Sequence, residues 1–322
     1  MKQTYIKSTG AYVPENCIQN EVMEKLVETT DEWIKSRTGI ESRHISLDEN
    51  TSDLAYKAAV KALKNASMDP LDLELIIVAT VTGDNVFPGV SQILQKRLGC
   101  HTIPAFDINA ACTGFVYALE IADKMLTSGA YKNALIVGAE ALSKLTDFED
   151  RNTCVLFGDG AGAFLLEQAE GRGIQAITVK SDGDTKGHLK LEAYPLKENF
   201  KTPDMPRPFI KMNGSEIFRF ATDVFPKLIN ELLNKTNQTL NDLDLIIAHQ
   251  ANKRIIEKSA KTLKYPLKKM YMNIQSMGNT SAASIPLAVD EAIGKGYLKR
   301  NDTFAIAAFG GGLTWGGAII EY

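Results

Sequence analysis

No apolar run in this sequence is long. The longest, Leu75 to Ala79, Phe115 to Leu119 and Phe304 to Phe309, are five or six residues, against the roughly 20 that a helix needs to span a bilayer. The amino-terminal stretch MKQTYIKSTGAYVPEN has no apolar core of the kind a secretory leader carries. These two absences predict a cytoplasmic protein with no membrane insertion. Cysteine is scarce. Cys17, Cys100, Cys112 and Cys154 show neither CxxC spacing nor the density of a small secreted domain, which argues against a disulfide framework and a metal site; at least three of the four are expected to be buried thiols. A charge excess of one sign is lacking too: 36 Lys and Arg stand against 39 Asp and Glu, a formal net charge of −3, so nothing global suggests nucleic-acid binding.

What is present is an average soluble composition, 44% hydrophobic and 23% charged over 322 residues, enough chain for two domains around a large core. The chain also repeats itself. The run Glu74-Leu-Ile-Ile-Val78 recurs as Asp244-Leu-Ile-Ile-Ala248, each after an acidic turn, and Ala134-Leu-Ile-Val-Gly138 recurs as Phe304-Ala-Ile-Ala-Ala308. The offset is 170 in each case, and the helical stretches around Ala118 and Ala288 share it. Each second strand leads past glycines into a terminal apolar run, GAGAFLLE (160–167) and WGGAIIEY (315–322). The hydrophilic EQAEGRG (167–173) reads as the joint, dividing the chain into halves 1–170 and 171–322.

Within each half, strand and helix alternate. Helical spacing over 52–68, the buried strand LELIIVAT, the helix QILQKRLG, the strand PAFDIN and a helix over 113–128 follow in order. The second half repeats this order from Ile217. Alternation with near-continuous apolar strands predicts mainly parallel sheets covered by helices on both faces. Two such halves packed together give an α/β fold of five layers, αβαβα. Residues 181–212, rich in Asp, Gly, Lys and Pro, read as an excursion from that core.

Cys112 lies in Asp107-Ile-Asn-Ala-Ala-Cys-Thr-Gly-Phe115, where a strand gives way to small residues and then a helix. A strand-to-helix turn exposes its side chain, and the helix N-terminus supplies unpaired N–H groups and partial positive charge that favour thiolate. His249 ends the strand of LIIAHQAN, at the carboxyl edge where open α/β sheets hold ligands. Asn279 lies in Met277-Gly-Asn-Thr-Ser-Ala-Ala-Ser284, the counterpart of the Cys112 turn, with Cys112 opposite Ala282. Packing about a pseudo-twofold would let Cys112, His249 and Asn279 converge as a nucleophile with two neutral hydrogen-bonding partners. The glycines of GDGAG (158–162) are followed by AFLLE, too short and apolar for the helix that a dinucleotide loop requires. The run Phe309-Gly-Gly-Gly-Leu-Thr-Trp315 is either a bulge between strands or a place where backbone N–H groups approach a reacting carbonyl.

Together DEWIKSRTGI, AACTGF, FGDGAGA, HQANKRII, GNTSAAS and GGGLTWG resemble, in order and over the full length, the β-ketoacyl-acyl carrier protein synthase III family. The resemblance implies a thiolase-like fold and a decarboxylative condensation of a short acyl-coenzyme A with malonyl-acyl carrier protein, initiating fatty-acid synthesis without a cofactor. By that similarity the catalytic residues are Cys112, His249 and Asn279, and the backbone N–H groups of Cys112 and Gly311 form an oxyanion hole. Trp33 and Arg37, one helical turn apart, and Thr29, Arg151, Gly214 and Asn252 become coenzyme A contacts, with Arg151 stacking across the adenine from Trp33. Leu142 and Phe87 become acyl-pocket residues, Phe87 reaching across a homodimer. Met277 departs from the family pattern, in which an aromatic residue or His often precedes the Gly-Asn.

Residues 251–270 hold seven basic residues against the single acid Glu257. Arg254, Lys258 and Lys261 recur at i, i+4 and i+7, one helical face directly after His249, and an acidic carrier protein is the fitting partner. Three rivals remain at this stage. A relative making a specialised metabolite would keep the Cys, His and Asn but take another acyl donor or malonyl-coenzyme A. A non-catalytic acyl-binding or thiol-sensing protein leaves Trp33, Asn279 and the triple glycine unexplained, and a dinucleotide oxidoreductase lacks its loop.

Overall fold

The computed structural model describes residues 2–184, 186–193 and 208–322. The chain opens with β1 (Lys2–Tyr12), then a small excursion of β2 (Cys17–Gln19), α1 (Asn20–Glu24), α2 (Asp31–Thr38) and β3 (Ser42–His44). The first half continues through α3 (Thr51–Ala66), β4 (Ile76–Ala79), α4 (Val90–Leu98), β5 (Ala105–Ile108), α5 (Gly114–Thr127), β6 (Asn133–Ala141), α6 (Arg151–Cys154) and β7 (Asp159–Glu170). After it come β8 (Ile174–Ser181), the short antiparallel pair β9 (Leu189–Lys190) and β10 (Lys211–Met212), and α7 (Gly214–Thr236). The chain ends with β11 (Leu245–Ala248), α8 (Lys253–Leu263), β12 (Met270–Tyr271), α9 (Ile274–Met277), α10 (Ser284–Gly294), β13 (Thr303–Gly310) and β14 (Thr314–Glu321).

Two five-stranded sheets result, in the orders β1-β7-β6-β4-β5 and β8-β14-β13-β11-β12. Strand for strand they match, so the repeat read from the sequence is a repeat of topology. The expectation of mainly parallel sheets needs correction. In each sheet two pairings are parallel and two antiparallel, because β7 and β14 follow their partners with no crossover helix and must run back. The sequence reading also missed β1 and β8, the edge strands that begin each sheet. The expected excursion at 181–212 holds β9 and β10; its residues 185 and 194–207 lie outside the described residues.

Alternation along each strand explains the continuous apolar runs. On β4, Ile77 and Ala79 face the central layer with α5 and α10, while Ile76 and Val78 face α3 and α4. On β11, Ile247 faces the same central layer while Ile246 and Ala248 face α7 and α8. The order of layers is therefore α3/α4, first sheet, α5/α10, second sheet, α7/α8. A fourth apolar cluster caps the carboxyl ends of the strands, with Ile34, Leu142, Cys154, Phe157 and Ile274 in it and Trp33 packed against it.

Candidate active site

Cys112 sits in the middle of a 3-10 turn, Ala111–Thr113, between β5 and α5. The residue before it, Ala111, holds a φ of 46°, a left-handed conformation that costs a non-glycine residue energy and is kept only where the surroundings over-determine it. Two contacts do so here. The Asn109 side chain accepts the Ala111 N–H at 3.3 Å, and the Thr314 hydroxyl lies 3.0 Å from Thr113 Oγ1 and 2.9 Å from the Gly311 carbonyl, tying the triple-glycine turn to the turn that carries Cys112. Gly310 is the closest approach. A Cβ there would lie 3.0 Å from both the amide nitrogen and the Cβ of Cys112, so this backbone lies flush against the thiol's residue.

The turn matching this one, Ser281–Ala283 ahead of α10, packs directly against it. The segment that holds it, from Asn279 to Ser284, fixes two of the three predicted polar groups. Asn279 Oδ1 accepts the Ser281 N–H at 2.9 Å, which fixes the amide so that its NH2 is the end left for a ligand. Ser284 Oγ lies 2.6 Å from His249 Nδ1. His249 follows β11, its N–H donating to Ala307 O at 2.7 Å and its ring edge-on to Phe309. Cys112, His249 and Asn279 are all buried.

Burial sets the protonation of these groups. The His249 ring is driven down to about 3 by desolvation, so it is neutral at pH 7. Desolvation, with the nearby Glu140 charge adding, pushes the Cys112 thiol up to about 11. The expectation that the helix N-terminus would favour thiolate is thus not met at rest; the cost of ionising a buried sulfur outweighs it. Glu140, at the end of β6, is a group that sequence reasoning missed. It is fully buried, accepts from Thr82 Oγ1 at 2.8 Å, Thr80 Oγ1 at 3.3 Å and Val81 N–H at 3.2 Å, and is pushed up to about 7 by desolvation. The available signal was a charge inside the apolar strand NALIVGAEA. Ser281 and Ser284 stood within a quoted motif but were not singled out.

The other predicted positions fall around the carboxyl ends of the strands. Trp33 and Arg151 meet, with the guanidinium 4.2 Å from the indole centroid; a base sandwiched between them would have to part the pair. Thr29 Oγ1 and Arg151 Nε are buried without a hydrogen-bond partner among the described residues. Arg37 is exposed at the end of α2, and its carbonyl accepts Asn252 Nδ2–H at 3.0 Å. Asn252 Oδ1 also caps α8 by accepting Arg254 N–H, so Asn252 joins α2 to α8. Gly214 is the exposed first residue of α7. Leu142 is buried in the capping cluster, whereas Phe87 is 85% exposed in the single chain. Gly311 stands beside the Leu189 carbonyl, and Met277 is half-buried at the end of α9. Arg254, Lys258 and Lys261 are exposed on α8, and the first two lie 5.4 Å from the Phe218 ring. The expectation of at least three buried cysteines fails, since only Cys112 and Cys154 are buried, Cys100 is half-buried and Cys17 is exposed; all four are free. The GDGAG glycines lie within β7 or just before it, not at a helix.

An open cleft of about 450 Å³, lined by His188, Glu216, Arg219 and Phe220 among others, contains none of these residues. Among the described residues no cluster of His, Cys, Asp or Glu could hold a metal, and no helix is long and apolar enough to cross a membrane.

Comparison with known proteins gives one consistent result. Residues 106–183 match the family model 3-Oxoacyl-[acyl-carrier-protein (ACP)] synthase III, and residues 233–322 match its C-terminal counterpart. The chain is 50% identical over 323 residues to beta-ketoacyl-[acyl-carrier-protein] synthase III of Clostridium perfringens, covering all of both chains. Among solved structures it resembles 3-oxoacyl-[acyl-carrier-protein] synthase III of Aquifex aeolicus at 43% identity and a TM-score of 0.92, covering 99% of this chain and 100% of that one. It also resembles the priming beta-ketosynthase of the R1128 polyketide biosynthetic pathway at 31% identity and a TM-score of 0.92, covering 99% and 96%.

Proposed function

Because the chain belongs to the 3-oxoacyl-[acyl-carrier-protein] synthase III family, and so is a condensing acyltransferase that initiates fatty-acid synthesis, we propose that Cys112, His249 and Asn279 carry its chemistry. The observation behind this is the segment 279–284, which packs against the turn that carries Cys112, orients the Asn279 amide and holds the His249 imidazole. The halves 1–170 and 171–322 are the units we propose, the first supplying the nucleophile and the second the two donors.

In the first step Cys112 Sγ attacks the thioester carbonyl of an acyl-coenzyme A, and the N–H groups of Cys112 and Gly311 receive the tetrahedral oxygen. In the second, malonyl-acyl carrier protein loses carbon dioxide. The enolate oxygen that develops requires donors without a positive charge that would retain the departing carboxylate. His249 supplies one: in the tautomer in which Nδ1 accepts from Ser284, Nε2 carries the proton, and a ring driven down to about 3 stays neutral. The free NH2 of Asn279 supplies the other. The carbanion then attacks the acyl-Cys112, giving β-ketoacyl-acyl carrier protein. No cofactor is required, the coenzyme A being part of the substrate.

The coenzyme contacts follow from the same reading. Trp33 and Arg151 form the platform, Arg37, Asn252, Gly214 and Thr29 surround it, and the unpartnered Thr29 Oγ1 and Arg151 Nε suit a polar ligand. The free cations Arg254, Lys258 and Lys261 on α8, which have no ion pair among the described residues, suit an acidic carrier. A homodimer through the first sheet is supported by β5, an edge strand half-exposed along its length where the matching β12 is buried, and by the exposed Phe87; it would bring Phe87 towards the partner's Leu142 pocket. The cytoplasm is the compartment that holds these substrates.

Incubation with a mixture of acetyl-, isobutyryl-, butyryl- and octanoyl-coenzyme A, followed by the mass of the intact protein, tests the reading. One acyl group on Cys112, absent in Cys112→Ala, is expected; acylation elsewhere, or none with any donor, refutes it. The likeness to a polyketide priming ketosynthase keeps one second reading, a condensing enzyme of specialised metabolism, and product formation from malonyl-coenzyme A in place of malonyl-acyl carrier protein would favour it.

A further inference from the structure

Arg43, on β3, is the largest fully buried side chain among the described residues, and among them it forms no ion pair. A buried cation without an anion beside it is costly, and no step above uses one. Burial pulls its guanidinium down to about 10, which leaves it charged at pH 7. Its hydrogen bonds show what it holds. Nη2–H donates to the Val155 carbonyl at 2.8 Å, Nη1 lies 3.5 Å from the Ile18 carbonyl of the neighbouring β2, and Nε has no partner. Val155 follows the last residue of α6, so the carbonyl that receives the short bond is one that the helix end leaves unsatisfied.

Beyond Val155 the chain passes through residues 156–158 into β7, and this short strap runs alongside Asn279. Asn279 N–H donates to the Leu156 carbonyl at 2.8 Å, Gly158 N–H donates to the Asn279 carbonyl at 3.0 Å, and Phe157 and Asn279 form a parallel bridge. Both backbone groups of Asn279 are therefore bonded to the strap. The arginine stem fits the same place closely: a Cβ on Gly158 would stand 3.3 Å, and one on Gly278 3.1 Å, from the Cβ of Arg43. The chain around β3 also holds α9, which leads into Asn279, through Glu41 N–H to Gln275 O at 2.8 Å and Ser42 Oγ to Ser276 O at 3.4 Å. The bond from Asn279 Oδ1 to Ser281 N–H sets the rotation of the amide; the strap sets where its backbone stands. We propose that Arg43 is a positioning residue for Asn279, holding the strap through the Val155 carbonyl so that the free amide NH2 meets the developing enolate; this rests on the role assigned to Asn279 above. Cys112 is held by other contacts, those of Asn109, Thr113 and Thr314, so the two half-reactions should respond differently to a change at Arg43.

The test is Arg43→Met, which keeps an unbranched apolar stem and removes the donors. Carbon dioxide release from malonyl-acyl carrier protein should lose at least about tenfold in kcat with KM nearly unchanged, while Cys112 loading, measured as intact mass with whichever of the four acyl-coenzyme A donors loads the wild type, should stay within about threefold. Arg43→Lys, whose ammonium can still donate to Val155, should restore most of the decarboxylation. In an Asn279→Ala background Arg43→Met should cost nothing more, because an effect exerted through Asn279 disappears with it. Equal loss in both half-reactions, full decarboxylation in a folded Arg43→Met protein, or a further loss on top of Asn279→Ala overturns the proposal. Should Arg43→Met not fold, Arg43→Gln, polar but two atoms too short to reach the Val155 carbonyl, carries the same expectations. Asn279→Ala alone distinguishes the failures. If it decarboxylates like the wild type, the role of Asn279 falls and the proposal with it; if it does not, and Arg43→Met does, only the positioning by Arg43 falls.

Discussion

Gly138→Ala is a one-carbon change outside the chemistry whose consequence can be worked from distances. Gly138 lies on β6, hydrogen-bonded between Ala79 of β4 and Gly162 of β7, so its backbone cannot retreat. A Cβ there would stand 2.4 Å from the carbonyl oxygen and 2.9 Å from the carbonyl carbon of Ala282. Ordinary contact begins at 3.4 Å, so the turn Ser281–Ala283 must lift by about 1 Å. That turn presents Asn279, Ser281 and Ser284. Misplacement of reacting groups by 1 Å costs roughly 100-fold in rate, or about 2.7 kcal/mol of barrier, and overpacking of this kind costs about 1–3 kcal/mol of stability. Malonyl decarboxylation should therefore fall about 100-fold, with loading of Cys112 reduced less because the thiol's own turn is not displaced. Gly294→Ala, at the end of α10 with open space around it, is the control and should be neutral or slightly stabilising. Partial reactions measured separately, with thermal unfolding alongside, check this. Wild-type decarboxylation in a Gly138→Ala protein of unchanged unfolding temperature would refute the argument that this strand sets the height of the turn.

Three further outcomes are expected. Ser284→Ala leaves His249 Nδ1 buried without its partner at 2.6 Å; a lost buried hydrogen bond of about 1–3 kcal/mol should slow decarboxylation about 5- to 150-fold and leave Cys112 loading near normal, which stopped-flow release of carbon dioxide against acyl-enzyme mass would show. His249 is held down to about 3 against an ordinary 6.5, so below pH 6.5 the unfolded chain binds a proton that the folded chain refuses, and stability drops as pH falls towards 3. Glu140 is held up at about 7 against 4.5 and opposes this, its contribution being lost as pH rises from 4.5 through 7, with each slope at most about 1.4 kcal/mol per pH unit. In His249→Gln, urea unfolding at pH 7 and pH 5 should show acidification helping the variant where the two slopes nearly cancel in the wild type; equal behaviour would deny the shift. Arg254→Glu should raise the KM for malonyl-acyl carrier protein by an amount equivalent to about 1–3 kcal/mol, less at high salt, without slowing acylation; an equal loss in both half-reactions would detach this helix from carrier docking.

The repeat, the layers and the positions of Cys112, His249 and Asn279 were legible because they follow from short-range signals: apolar runs at a fixed offset, a strand end, a strand-to-helix turn. What was not legible depends on what lies across the sheet. Nothing in NALIVGAEA says that Glu140 ends fully buried, or that Thr80 and Thr82, 60 and 58 residues earlier in the chain, line its cage. The ionisation of Cys112 was misjudged for the same reason. A helix start was visible, and the burial that outweighs it was not. Parallel strands were overestimated because β7 and β14 look like β4 in composition and differ only in what precedes them.

The duplication explains how one turn serves two purposes. Offset by 170 residues, Asn109 and Asn279 each accept the N–H two residues on, at 3.3 and 2.9 Å, and Ala111 and Ser281 each take a left-handed φ, 46° and 49°. The backbone device is therefore common property of the two halves, and the chemistry lies in the side chains substituted upon it. Where the second half has Ser284 hydrogen-bonded to His249, the first has Gly114 facing Ala79, a contact in which a Cβ on the glycine would stand 3.2 Å from the alanine's. Where the second half has Gly310 lying flush on Cys112, the first has the buried carboxyl of Glu140. At each of these paired places one half carries a polar group and the other is cut back to glycine or alanine. That is the condition for packing the two turns face to face: two sets of side chains would not fit in the space, and two sets of small residues would do no chemistry. The close packing of the Cys112 turn on the segment 279–284 follows from this complementarity, since each half meets the other through the same strained turn.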